Sequence, residues 1–189
     1  MMFKKILIFT VLLSLFSCNE KLSNKEKLEY ISKGKEITQS TFKELSSNLI
    51  AQMKLGGPMQ AIPFCNTEAI PITKKKEQKF NVSIKRTSEK LRNTENKATE
   101  RELQIINNYR NALKNNRELT PVVEKNINKN IQFYAPIIID AKCLACHGKF
   151  GEELNVKTDS LVKKLYPKDL AIGYKAGDIR GIWSIEFKK

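Results

Sequence analysis

Residues 6–16 form an apolar run of eleven, interrupted only by Thr10 and Ser14 and preceded by Lys4 and Lys5. A membrane-spanning helix needs about 20 apolar residues. A short basic stretch followed by so short an apolar one reads as an export signal and not as a spanning anchor. Residues 19–24 are polar and read as a tether. Over residues 25–55 the period becomes helical, with Leu28, Ile31, Leu45, Leu49 and Met53 recurring at spacings of three and four near each end. Gly56-Gly57 stops that helix, and Pro58 opens a second, short one at its first position. Phe80, Val82 and Ile84 alternate with Asn81, Ser83 and Lys85, which predicts a half-buried strand. Thr99-Glu100-Arg101-Glu102 is a capping-box pattern opening a helix that carries Leu103, Ile106, Tyr109 and Leu113. Ile131, Phe133, Ala135 and Ile137 alternate again. Ile179, Ile182, Trp183 and Ile185 make a closing strand, expected to break at Gly181. Strands interleaved with helices and an antiparallel ending predict an α+β fold with helices over one sheet.

The chain has 189 residues, 41% of them hydrophobic. That length suits one domain, or one domain with a tether, and the composition excludes a multi-span membrane protein, a collagen-like chain and a disulfide-dense miniprotein. Thirty-four Lys and Arg against 20 Asp and Glu leave a formal charge of +14. Such a balance ordinarily suggests a nucleic-acid partner. The export signal argues against nucleic acid and leaves an acidic protein partner or anionic lipid near an anchor. Ordinary solvation of a lysine-rich surface is the simpler reading.

Four cysteines and one histidine carry the chemistry. Leu15-Phe16-Ser17-Cys18 has the form of a bacterial lipobox, with a small residue before the cysteine. The chain then divides into a lipoprotein signal peptide (1–17), a tether (18–27) and a domain (28–189). Cys18 carries the lipid, and the protein is anchored by acyl chains on the periplasmic side of a membrane in the cell envelope. Cys143-Leu144-Ala145-Cys146-His147 is the C-x-x-C-H attachment signature for c-type haem. Residues three apart share one helical face, so both thiols reach the vinyl groups of one porphyrin, while His147 comes under the ring to the iron. Asp140 caps this turn and Gly148 follows it as a C′ residue. A C-x-x-C redox pair, or a zinc site of Cys143, Cys146, His147 and Cys65, is the alternative. Adjacent Cys146 and His147 would strain to bind one tetrahedral ion. With a single histidine, a second axial ligand comes from Cys65, Met53, Met59, a lysine, or none.

Several segments recur in a set order. They are Ala61-Ile62-Pro63-Phe64-Cys65, Arg86-Thr87-Ser88, Arg92-Asn93 with Asn96, and Tyr134-Ala135-Pro136 before the C-x-x-C-H turn. Tyr166-Pro167-Lys168-Asp169, Gly173-Tyr174, Gly177-Asp178 and Gly181 complete the set. The ordered set resembles the PAS-like, single-haem c-type domains first described as a domain of unknown function in bacterial lipoproteins and signalling proteins. The resemblance spans residues 30–187. It implies a PAS-like antiparallel sheet with flanking helices and a long N-terminal helix. It also implies one covalent haem c whose iron is held by His147 and Cys65. The sequence departs from the family pattern R-N-P-x-N-x-P, because Thr94 and Ala98 stand where both prolines would be.

An imidazole and a thiolate would saturate the iron and favour its ferric state. The expected function is redox or gas sensing, or electron transfer, without catalysis, and any signal passes to a separate partner. A haem peroxidase or reductase with an open iron is the alternative, with Glu68 or the arginines as its acid–base groups. A zinc-bound or metal-free structural lipoprotein is a third reading. Arg86 and Arg92 are expected either to meet haem propionates or to be solvated surface charges. Tyr134 and Trp183 are expected in the core more than on the macrocycle.

Overall fold

The structure is a computed structural model, and it describes residues 22–188. The signal segment and Cys18 lie outside the described residues. Among the described residues no helix is long and apolar enough to cross a membrane.

Helix α1 spans Asn24–Phe80. It starts earlier than the tether boundary suggested, because Ser23 and Glu26 form a capping box that satisfies the first turn. Its regular backbone fails at Gly56 (φ −167°, ψ 25°) and Gly57 (φ 62°, ψ −153°). A continuous helix would separate Glu44 from Lys76 by about 48 Å at 1.5 Å per residue. Their charged groups instead meet at 2.7 Å, and Lys76 Nζ also donates to Ser40 Oγ at 3.1 Å. The chain therefore reverses at the glycine pair, and α1 is a helical hairpin of two long arms. The second arm was expected to be short, since a proline inside a helix usually ends it. It continues through Pro63 and Pro71 to Phe80. The carbonyls those prolines leave without a donor belong to Met59 and Thr67, both exposed residues, so water can satisfy them.

Asn81, in the left-handed conformation (φ 51°, ψ 50°), turns the chain into β1, Val82–Thr87. Phe80 thus ends the helix and does not begin the strand. Helix α2, Glu100–Lys114, opens on the Thr99–Glu102 capping box as expected. Strands β2 (Val122–Lys125), β3 (Ile131–Ile138) and β4 (Ile179–Phe187) complete one antiparallel sheet of order β1-β4-β3-β2. Between β3 and β4 lie the short α3, Leu144–His147, and α4, Val156–Leu165. Neither β2 nor α4 was foreseen. β2 is only four residues long, and α4 begins on an asparagine cap, Asn155, after a polar loop.

The period-two alternation divides the sheet between two cores. Val82, Ile84, Phe133, Trp183 and Ile185 face α1 and pack with Ile37. Tyr134 and Ile182 face α2 and pack with Ile105, Ile106 and Tyr109. Gly181 does not break β4. A Cβ there would stand 2.1 Å from the Thr87 carbonyl, so its bare backbone lets β1 close against the strand.

The hairpin predicts a cost for filling the bend. Gly57 lies in a region open essentially to glycine alone, whereas Gly56 has extended φ. Gly57→Ala should destabilise the fold by about 1–3 kcal/mol in urea unfolding. Gly56→Ala should cost clearly less, and equal midpoints for the two would disprove the assignment.

Candidate haem-attachment site

The C-x-x-C-H turn hangs between β3 and β4. Ile139 donates to the Asp178 carbonyl at 2.9 Å, and Gly177 N–H donates to the Ile139 carbonyl at 2.8 Å. This bracket seals the base of the long β3–β4 connection. Asp140 then caps a 3₁₀ turn over Ala141–Cys143 by accepting from Lys142 N–H at 3.1 Å, as the sequence suggested. The turn runs into α3, so Cys143, Cys146 and His147 occupy consecutive helical turns. Gly148 caps α3 in extended backbone (φ −72°, ψ −168°), not as a left-handed C′ residue. Its need is space, because a Cβ would lie 2.7 Å from the Leu144 carbonyl and 2.8 Å from Glu153.

The closing loop after α4 runs beside this turn. Gly173 N–H donates to the Gly148 carbonyl at 2.9 Å and Tyr174 N–H to the His147 carbonyl at 3.0 Å. That alignment puts the Ala171 carbonyl 2.7 Å from His147 Nδ1. A carbonyl can only accept, so Nδ1 carries the proton and Nε2 keeps its lone pair. Burial holds the His147 imidazole well below the usual histidine range, and the positive charges of Arg92 and Arg180 push it further. The ring is neutral at pH 7 and offers one nitrogen to a metal. Tyr174 sits edge-on to it, with ring centroids 6.4 Å apart.

Arg92 ties three segments together. Nε and one terminal nitrogen fork onto the two Asp169 carboxylate oxygens at 3.1 and 3.2 Å. The same terminal nitrogen donates to the Cys146 carbonyl at 2.6 Å and the Ala171 carbonyl at 3.4 Å. Asp169 in turn accepts from Ala171 N–H at 3.0 Å. Arg92 therefore already has a carboxylate, within the protein, and positions both the C-x-x-C-H turn and the carbonyl that orients His147.

Cys65 sits on the second arm of α1, half-buried, in the electrostatic reach of Cys146, Arg86, Arg92 and Tyr166. Burial pushes its thiol up from the ordinary range, while Arg86 and Arg92 pull it back. The two cysteines, 81 positions apart in the chain, thus share one neighbourhood. Cys65, Cys143 and Cys146 are all free thiols. Met59, near the tip of the hairpin, is 48% exposed. Among the described residues no three of His, Cys, Asp and Glu converge as a metal-holding group, so these residues do not close into a tetrahedral zinc cluster.

Arg86 lies on the α1-facing side of β1, 5.9 Å from the Trp183 ring. Trp183 and Tyr134 pack in the two cores on opposite faces of the sheet. Burial pushes the Tyr134 hydroxyl up to about 12. Arg180 was missed by the sequence reading. It stands 5.4 Å from the Tyr174 ring, donates to the Lys90 carbonyl at 3.0 Å, and reaches Arg92 and Asp169 electrostatically. An arginine between Ile179 and Gly181, in the apolar first half of β4, was the available signal.

An α+β domain carrying a C-x-x-C-H turn opposite a helix-borne cysteine is the class that fold and site define. The chain belongs to the Tll0287-like family, which matches residues 19–187. Its fold is similar to the crystal structure of the cyanobacterial heme-protein Tll0287, with a TM-score of 0.60 and 20% identity over 84% of this chain and 95% of that one. No curated protein matches the chain.

The Asp169 side chain is only 4% exposed and Arg92 14%, so removing one partner strands a charge. Asp169→Asn should lower stability by about 3–5 kcal/mol. Glu152→Gln, in a surface pair exposed 69% and 56%, should change it by at most about 1 kcal/mol. Equal thermal shifts for the two variants would contradict this role for Arg92.

Proposed function

We propose that the protein binds one covalent haem c, through thioethers at Cys143 and Cys146 and axial ligation by His147 and Cys65. It acts in redox or gas sensing or in electron transfer, without turning over a substrate. The observation that carries this reading is the Nδ1 hydrogen bond of His147 to Ala171, at 2.7 Å. It leaves Nε2 with its lone pair free, on the short helical stretch that also carries two free thiols. A metal-ligating histidine characteristically secures its other nitrogen in this way. The fold's likeness to a cyanobacterial heme-protein supports the same cofactor.

The haem would supply a one-electron ferric–ferrous couple. The chain's residues set its level. Cys65, as a thiolate, is an anionic donor and draws the couple toward the oxidised state. Together His147 and Cys65 would hold the iron, which would suit outer-sphere electron transfer, or sensing by exchange of the cysteine. Arg92, bonded to Asp169, Cys146 and Ala171, would hold the C-x-x-C-H turn against the closing loop. Cys18 would hold the domain to a membrane by lipid, and the basic surface would face an acidic redox or signalling protein.

Protein matured in a host with haem-attachment machinery should show a Soret band and a c-type pyridine haemochrome. Both should be lost together in the Cys143→Ser, Cys146→Ser double variant. Cys65→Ala should change the ferric spin state and raise the midpoint potential, and Met59→Ala should leave both as they were. Haem-free protein would overturn the reading. An unchanged Cys65→Ala spectrum would overturn the ligand assignment alone. Cys18→Ser should release the protein from the membrane fraction.

A further inference from the structure

We propose that Arg86 and Arg180 hold the two haem propionates, and that Arg92, for all its closeness, does not. The proposal rests on the haem reading above and concerns how the same site receives the cofactor's acidic edge.

The argument is one of charge count in a half-buried space. Three guanidinium groups, Arg86, Arg92 and Arg180, lie close enough to Cys65, His147 or one another to feel each other's charge. Among the described residues, Arg92 alone of the three has a carboxylate at ion-pair distance, and Asp169 gives it both oxygens. The remaining carboxylates pair elsewhere or make no ion pair with these arginines. Lys90 adds another positive charge, with its ammonium held by the Ile172 carbonyl and 4.4 Å from the Tyr174 ring. Like charges gathered away from water repel and lose hydration, and an arrangement of this kind calls for an anion.

Cys65 is not that anion in the loaded protein. A ferric iron in a porphyrin dianion carries one net positive charge, and a Cys65 thiolate cancels it. The positive surplus from Arg86, Arg180 and Lys90 then remains, and a haem brings two propionate carboxylates to meet it, with the Lys90 ammonium already held by the Ile172 carbonyl. The side chains are also set for it. Arg86 rests against Trp183 and Arg180 against Tyr174, so an aromatic ring supports each guanidinium, and the Tyr174 side chain also hydrogen-bonds that of Arg180. Arg180 spends one terminal nitrogen on the Lys90 carbonyl, at 3.0 Å, which orients the rest of the fork. A planar fork matches a carboxylate with two parallel hydrogen bonds. Arg92 has spent that fork on Asp169.

The test uses the haem-loaded protein and two readouts, the propionate bending bands in resonance Raman and the midpoint potential by spectroelectrochemistry. Arg86→Gln and Arg180→Gln should each keep full haem by pyridine haemochrome, move a propionate band to lower frequency and lower the midpoint potential. Arg101→Gln, in the surface pair with Glu124, should move neither. Arg86→Lys and Arg180→Lys keep the charge and lose the fork, so they should move the band and spare most of the potential. They serve equally if the glutamine variants do not fold. A potential that falls while the propionate bands stay fixed would overturn the proposal, since the arginines would then act through space alone. Bands that do not move in the lysine variants would also overturn it. Wild-type protein without haem would overturn the underlying reading, and this proposal with it.

Discussion

The candidate site depends on one guanidinium. Arg92 follows β1, Cys146 belongs to the C-x-x-C-H turn, and Asp169 and Ala171 belong to the loop that returns the chain to β4. These segments lie 54 to 79 positions from Arg92 in the chain, and none has a secondary-structure ladder to hold it. The buried pair to Asp169 holds the loop carrying the Ala171 carbonyl against His147, beside main-chain hydrogen bonds and the packing of Ala171 and Tyr174 on Ile139. The tautomer of the sole histidine is therefore set, at one remove, by an ion pair. Because both partners are shielded from water, the pair is effective only when complete.

Burial has opposite consequences for the groups around it. It disfavours the charged forms of His147, Cys65, Arg86 and Arg180 alike. For the imidazole this yields the neutral form that a metal needs. For the thiol it opposes the anionic form, and Arg86 and Arg92 counter that opposition. For the arginines, which stay protonated regardless, it leaves charge in want of a partner.

The scaffold works by bringing distant segments together on a stiff frame. The glycine pair folds α1 back on itself, so that its second arm carries Cys65 toward the end of the sheet where the β3–β4 connection leaves. Packing on both sheet faces makes that frame rigid. The face under α1 is apolar at Phe133 and Ile185 and becomes cationic at Arg86, where the strand passes from the core to the site.

Much of this was legible in the residues. The helix bend at Gly56-Gly57, the Thr99 capping box, three of the four strands and the Asp140-capped turn that carries residues 143–147 all rest on local rules of spacing and backbone preference. Strand β2 and helix α4 escaped because a four-residue strand and a loop-flanked amphipathic helix carry weak periodicity. The length of the second α1 arm escaped because its prolines are harmless only where their orphaned carbonyls face water. The tasks of the arginines were beyond local reading. Sequence supplies a guanidinium at 86, 92 and 180, but which one meets Asp169 is decided by the path of the closing loop. So the sequence by itself determined the C-x-x-C-H turn and most secondary structure, since these depend on neighbours a few residues apart. Only the tertiary structure decided the partner of Arg92, the tautomer of His147 and the company of Cys65, since each depends on burial and on contacts across dozens of residues.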